Sequence, residues 1–263
     1  MVGLCAGPSG PDVKMARTMT SSSPRLVRLG LLGGGQPSGS PPLRILVARA
    51  GWDSLWFPVD ADGDRTQVDV LRVGIVVDSV AQLPSAISHL WLRGDAARHA
   101  HGSVGAARDA DSALHDISVD AHDVGALEEL RSMGVMPVIG PAPLGKVLDL
   151  LRHCDGDAAV CLPASPGRTE AEAEARLARD PELEAAAASA NALVGTLEQC
   201  LETVRVLQAA GMSELRLRLP ATADLADVIA QMSALGDGSL AGIQPGTPRS
   251  QPPGAPAGWG GRT

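Results

Sequence analysis

Short apolar runs alternate along this chain with segments of helical periodicity, and that alternation limits the fold more than any other feature. "LVRLGLL" (26–32) reads as a strand, "LRILVARA" as a short helix ended by Gly51, "DSLWF" as a second strand and "LRVGIVV" (71–77) as a third. Strands joined through helices must pair in parallel, because each crossover returns the chain to the same end of the sheet. After His122 the order resumes with "DVGALEELRSMG" as helix, "VMPVIG" (135–140) as strand, "PLGKVLDLLRHC" as helix and "DAAVCLP" (157–163) as strand. The last unit is the clearest. Thr196 and Gln199 make a T-x-x-Q capping box, Leu197, Leu201, Val204 and Leu207 share one face, Gly211 stops the helix, and "ELRLRLP" follows as a strand. "DLADVIAQMSAL" then closes the domain as a helix capped by Asp224 and ended by Gly236.

Six strands are persuasive on this reading, "ALVG" (192–195) is a candidate seventh, and no eighth is evident. "VAQLPSAISHLWL" is apolar and of helical length. From Arg93 to His122 the chain is polar and rich in Ala, Asp and His, with neither a convincing strand nor a strongly amphipathic helix. A structureless stretch of that length is unusual inside a compact domain. The Ala-rich segment after Arg168, with Glu172 and Arg176 at i, i+4, favours helix and restarts at Pro181.

A chain of 263 residues is long enough for an α/β barrel, which typically takes about 250. Residues 1–24 and the tail 236–263 are rich in Gly, Pro and Ser and are expected to be disordered, leaving 25–235 as the folded domain. The core must be aliphatic, since the chain has one Phe, four Trp and no Tyr. A formal charge of −8 works against a nucleic-acid partner. The four cysteines form no CxxC pair and no run approaches about 18 apolar residues, so the expectation is a cytoplasmic protein without membrane or metal sites. His99, His101, His115 and His122 cluster in sequence but match no tight zinc spacing. "GLLGGGQPSG" follows a strand yet lacks both phosphate-loop spacings.

Several stretches together resemble the bacterial-luciferase-like family, whose members are flavin-dependent monooxygenases and oxidoreductases using the deazaflavin coenzyme F-420. They are "LVRLGLLGG", "GWDSLWFP", "RVGIVVDSVAQLPSAISHL", "PVIGPAPLGKVLDLLRHCDG" and "LVGTLEQCLETVRVLQAAGMSELRLRLPATADLADVIAQM". The resemblance implies a TIM (β/α)8-type barrel, complete or short of one or two strands, with the cofactor at the C-terminal ends of the strands. It implies FMN or F-420 as cofactor, a small organic substrate, hydride or oxygen transfer performed by the ring, and a homodimer in many relatives.

Carried over residue by residue, the resemblance puts Asp60 of "WFPVDADGD" where relatives have an acidic group facing the cofactor, though the accompanying His is missing. It aligns Val76 and Val77 with a strained cis peptide beneath the ring. In "GPAPLGK" it points to Gly140 and Lys146 for the cofactor phosphate, while Pro141 and Pro143 have no amide hydrogen to give. Two readings follow: an active oxidoreductase, or a shortened, non-catalytic scaffold that binds cofactor weakly or pairs with another subunit. The number of barrel strands discriminates between them.

Overall fold

The computed structural model describes residues 27–33, 43–58, 71–83, 88–110, 114, 116–220 and 225–237. The segments expected to be loose lie outside these residues, apart from 236 and 237, which finish the last helix. In chain order the elements are β1 (Arg28–Leu32), α1 (Leu43–Arg49), β2 (Ser54–Pro58), β3 (Arg72–Val77), β4 (His89–Leu92), α2 (Gly94–Arg98), α3 (Ala100–Ala110), β5 (Asp116–Ala121), α4 (Val124–Ser132) and β6 (Met136–Ile139). They continue with α5 (Leu144–Leu151), β7 (Ala158–Gly167), α6 (Glu170–Leu177), α7 (Pro181–Ser189), β8 (Leu193–Thr196), α8 (Leu197–Ala209), β9 (Met212–Arg218) and α9 (Leu225–Asp237).

Strands β1 to β6 pair in sequence, β6 pairs with β7, β7 with β9 and β9 with β1, all in parallel. Eight strands therefore close a TIM-type barrel, and closure leaves no open edge among them. β8 is a ninth strand outside the ring. It pairs with the far end of the 10-residue β7, Ala164–Gly167, after Ala158–Pro163 has paired with β9.

Two expectations are corrected here. "VAQLPSAISHLWL" is not a helix, because its last four residues are β4, with Leu90 and Leu92 outward and His89 and Trp91 on the other face. An unbroken apolar run has no period that separates strand from buried helix. The stretch 93–122 is not structureless: it holds α2, α3 and β5. α3 packs through Ala100, Ser103, Val104 and Ala107, side chains too small for a strong amphipathic signal. The barrel is complete, and the missing-strand motive for a scaffold role disappears with that.

The core divides into two parts. Outward-facing Leu29, Leu31, Leu55, Ile75, Leu90, Val119, Leu215 and Leu217 join helix residues such as Val47, Leu130, Val147, Leu201, Val204 and Ile229 in one aliphatic shell. Each fully buried aliphatic side chain contributes roughly 1.5–3 kcal/mol. Trp52, just ahead of β2, donates to Ser233 Oγ at 3.0 Å and to the Ile229 carbonyl at 3.3 Å, fastening α9 to the start of β2. The last βα unit matches its sequence signals: Thr196 and Gln199 form the reciprocal capping box, and Gly211 takes φ of 109° at the turn into β9. Inside the ring a smaller cluster, Trp56, Val76, Trp91, Val138, Ala159 and Cys161, fills the lumen.

Candidate active site at the barrel mouth

The lumen owes its character to alternation along β9. In Glu214-Leu215-Arg216-Leu217-Arg218 the leucines enter the outer shell, so the three charged residues point inward. Glu214 and Arg216 are both completely buried. Gly30 of β1 lies between Ser54 on one neighbouring strand and Arg216 on the other. With no side chain there, Ser54 Oγ donates to Glu214 Oε1 at 2.9 Å across β1. A Cβ on Gly30 would stand 2.4 Å from that hydroxyl oxygen.

Arg216 Nε donates to the same Glu214 oxygen at 3.1 Å, and Arg72 Nη2 donates to the other at 2.9 Å. Burial resists ionisation of Glu214, but Arg216, Arg72 and the Ser54 hydroxyl outweigh it and pull the carboxyl down to about 2. Burial also lowers the Arg216 guanidinium from its ordinary value, against the pull of Glu214. Arginine stays charged over the range where proteins are folded.

Above this ion pair lies a cation–aromatic stack. The Arg216 guanidinium carbon sits 3.9 Å from the Trp56 ring centroid and 4.8 Å from that of Trp91, while the two indoles meet edge to face at 5.9 Å and 82°. A desolvated contact of this kind is worth about 2 kcal/mol. Gly74, opposite Trp56 on β3, makes room for the indole: a Cβ there would come within 2.3 Å of Trp56 Cζ3. Trp56 Nε1 donates to Ser54 Oγ at 3.0 Å, and Arg216 Nη2 donates to Ser118 Oγ at 2.9 Å.

Trp91 carries the order of the lumen to the mouth. Its Nε1 donates to Asp120 Oδ1 at 2.7 Å, and Arg93 Nε stands 3.6 Å from Asp120 Oδ2. Burial pushes Asp120 above its ordinary value, opposed by the Trp91 N–H and by the charges of Arg93, His122 and Arg216. Trp91, Arg93 and Asp120 line a cavity of about 410 Å³ with Leu32, Pro58, Gly140, Cys161, Pro163 and Arg218, residues at or just past the C-terminal ends of their strands. Sites on TIM barrels are built at that end, and the volume falls within the range of about 300–1,000 Å³ usual for ligand pockets. α7 supplies Glu182 to the rim, where it accepts from Arg218 Nη2 at 2.8 Å. Burial pushes the Cys161 thiol up to about 11, so this sulfur is no nucleophile at neutral pH. A hollow of about 530 Å³ lies at the opposite face, beside Asp116, Met136 and Asp157 at the strand starts, where a barrel carries stability rather than chemistry.

Of the residues singled out from sequence, Gly140 lines the mouth, with open space around it. Val76 faces the lumen beside Trp56 and Trp91. Val77, one position on, has the opposite parity and packs in the outer shell. No peptide bond among the described residues is cis, so the cis peptide aligned with Val76 and Val77 is absent. Lys146 is exposed on the first turn of α5, behind a helix start without a side-chain cap. Asp60 lies outside the described residues, as do His115 and Asp224. Sequence reasoning missed Trp91, Arg93, Asp120, Glu214 and Arg216. Two signals could have found them: the strict charged–leucine alternation of β9, and the I-S-V-D-A alternation of β5. Among the described residues no group of three or more His, Cys, Asp or Glu is placed to hold a metal ion, and no helix is long and apolar enough to cross a membrane.

No family profile matches the chain, and no curated protein matches it in sequence. Its likeness to known proteins is one of fold. It is similar to the oxygenating constituent of 3,6-diketocamphane monooxygenase from Pseudomonas putida, a type II Baeyer–Villiger monooxygenase in complex with FMN, at TM-score 0.55 and 11% identity over 80% of this chain and 98% of that one. It is similar to an F-420-dependent secondary alcohol dehydrogenase in complex with an F-420–acetone adduct, at TM-score 0.54 and 10% identity over 80% and 98%. The F-420-dependent tetrahydromethanopterin reductase of Methanopyrus kandleri aligns at TM-score 0.50 and 11% identity over 79% and 97%. The likeness covers about four-fifths of this chain and nearly the whole of each of these proteins, and it is a likeness of barrel fold.

Proposed function

We propose that this chain is an oxidoreductase that binds FMN or coenzyme F-420 at the barrel mouth and transfers hydride or oxygen to a small organic substrate. The observation that carries the reading is the cavity at the C-terminal strand ends. It joins an apolar wall, Leu32, Pro58 and Pro163, to an indole, a carboxyl and a guanidinium. A planar ring with a polar edge suits such a lining, since apolar faces supply contact area and a few placed polar groups fix orientation. The residues present fit the ring part of either cofactor: the space at Gly140 is open, and Trp91 is held still by its contacts with Arg216 and Asp120.

On the phosphate side, Gly140 and Lys146 are the residues we place toward the anion, together with the uncapped start of α5. Asp60, outside the described residues, is the acidic group that the resemblance points to for the reacting centre. When bound, the ring supplies the redox chemistry, while the chain binds it, orients the substrate and excludes water.

The test is a fluorescence titration of the purified protein with FMN and, separately, with F-420. Saturable binding of one at micromolar concentration is expected and selects the cofactor. Binding of neither would end the oxidoreductase reading.

A further inference from the structure

We propose that Asp120 is the proton-transfer residue of this mouth, exchanging a proton between its Oδ2 and the oxygen of a neutral alcohol or carbonyl substrate. The inference rests on the flavin or deazaflavin reading above and adds to it the chain's own acid–base group and a substrate class.

Four observations converge on this carboxyl. It faces the cavity from β5 with only 11% of its side chain exposed. One oxygen is committed, since Oδ1 accepts from Trp91 Nε1 at 2.7 Å. The other is not hydrogen-bonded to Arg93, whose Nε stands 3.6 Å away, beyond ordinary hydrogen-bond length. Finally, the group that aims Asp120 is itself fixed, because Trp91 is held by the Arg216 guanidinium and the Trp56 edge. Preorganised geometry of this kind is what proton transfer needs.

The ionisable groups that act on Asp120 are Arg93 after β4, His122 after β5, Cys161 on β7 and Arg216 on β9, while the neighbouring strand β6 contributes none. Their balance, with burial the largest influence, leaves the carboxyl above the ordinary aspartate value. That moves it toward the pH at which a group can both hold and release a proton.

The same surroundings select the substrate class. Arg93 pairs with Asp120, and Arg218 pairs with Glu182. A cationic amine would meet two guanidinium groups and an anion would have to displace a carboxylate. A neutral oxygen compound leaves the Arg218–Glu182 pair intact and needs from Asp120 only the exchanged proton. In reduction, the carbonyl carbon gains a C–H bond with hydride taken from a reduced flavin or deazaflavin ring, and the C=O π pair moves onto oxygen. The Asp120 O–H bond breaks as that oxygen takes its proton, giving an alcohol and a carboxylate. In oxidation the carboxylate accepts the alcohol proton, and hydride leaves for the oxidised ring.

The first test needs no cofactor. In protein labelled with 13C at the Asp carboxyls, the resonance absent from Asp120→Asn is expected to titrate above the ordinary aspartate value of about 3.9. Trp91→Phe removes a hydrogen bond to the carboxylate and is expected to move that midpoint higher. This variant keeps Asp120, so it reports even where Asp120→Asn does not fold. A midpoint at or below the ordinary value, or one that Trp91→Phe leaves in place, overturns the proposal. The second test uses the protein with bound cofactor and cyclohexanone within a panel of aliphatic ketones and aldehydes. Asp120→Asn is expected to lower kcat by about 10²–10⁴ with cofactor Kd within about threefold of wild type. Equal kcat in a variant that binds cofactor overturns the assignment of Asp120 while leaving the cofactor reading intact. So does a wild-type protein that binds cofactor and reduces none of the panel. Failure to bind either cofactor removes the reading and the proposal together.

Discussion

The shell between strands and helices and the lumen inside the strands are built on opposite plans. In the shell, Leu215 and Leu217 pack among other aliphatic side chains, and almost any residue of similar volume would serve. In the lumen, the alternate positions of the same strand carry Glu214 and Arg216, each dependent on a particular partner. One strand therefore teaches both lessons: an apolar face holds a barrel closed, whereas a buried charged face fixes a single arrangement and aims it at the mouth. Whether the charged face also stabilises is a separate question, because desolvation can cancel the attraction within a buried pair.

The largest expected effect tests that question directly. Arg216→Met leaves Glu214 buried with Arg72 as its remaining charged partner and is expected to cost about 3–5 kcal/mol. The double variant Glu214→Leu with Arg216→Met is expected to cost much less than the single one. Urea unfolding of both proteins measures the difference, and a double variant as unstable as Arg216→Met would mean that the pair is itself a main source of stability.

Acid is the next way to break the lumen while sparing the shell. The folded value of Glu214, about 2, lies below its ordinary 4.5. The stability it brings is therefore complete above pH 4.5 and is lost as pH falls toward 2, on the order of 3 kcal/mol in all. Glu214→Gln is expected to flatten that part of the stability curve, as thermal melts at successive pH values would show. Asp120 has the opposite sign. Its raised value means that the charged form is disfavoured in the fold, so Asp120→Asn is expected to leave Tm at neutral pH unchanged or higher, even where activity is lost.

Smaller effects sharpen the contrast. Gly74→Ala drives a methyl into the Trp56 ring and is expected to cost about 1–3 kcal/mol, accompanied by a change in near-ultraviolet circular dichroism as the indoles shift. Thr196→Ala removes the capping box of α8 in the shell and is expected to cost about 1 kcal/mol, with that spectrum unchanged.

The legibility of the sequence follows the same division. The unit from Thr196 to Arg218 is plain in the sequence because its cap, helix face, stop and strand are all local signals. The stretch 93–122 was illegible for two reasons. α3 packs through alanines, and β5 shows the lumen Ser118 and Asp120 where a barrel strand usually shows aliphatic residues. The site suffered for the same cause. With β4 and β5 unread, Trp91 and Asp120 had no strand ends to stand on. Of the residues carried over from the resemblance, Gly140 lines the mouth because it directly follows a strand that was read correctly, while Val77 turns outward by one step of parity.

By itself the sequence determined the parallel βα order, the aliphatic shell and the signals that start and stop α8, because propensity, periodicity and capping act within a few residues. Only the tertiary structure decided that eight strands close, that β8 stays outside the ring, and that Arg216 stacks between two indoles from distant strands to set Trp91 against Asp120. Those outcomes depend on which strands become neighbours around the ring, and on a glycine at position 30 that lets Ser54 and Glu214 meet across β1.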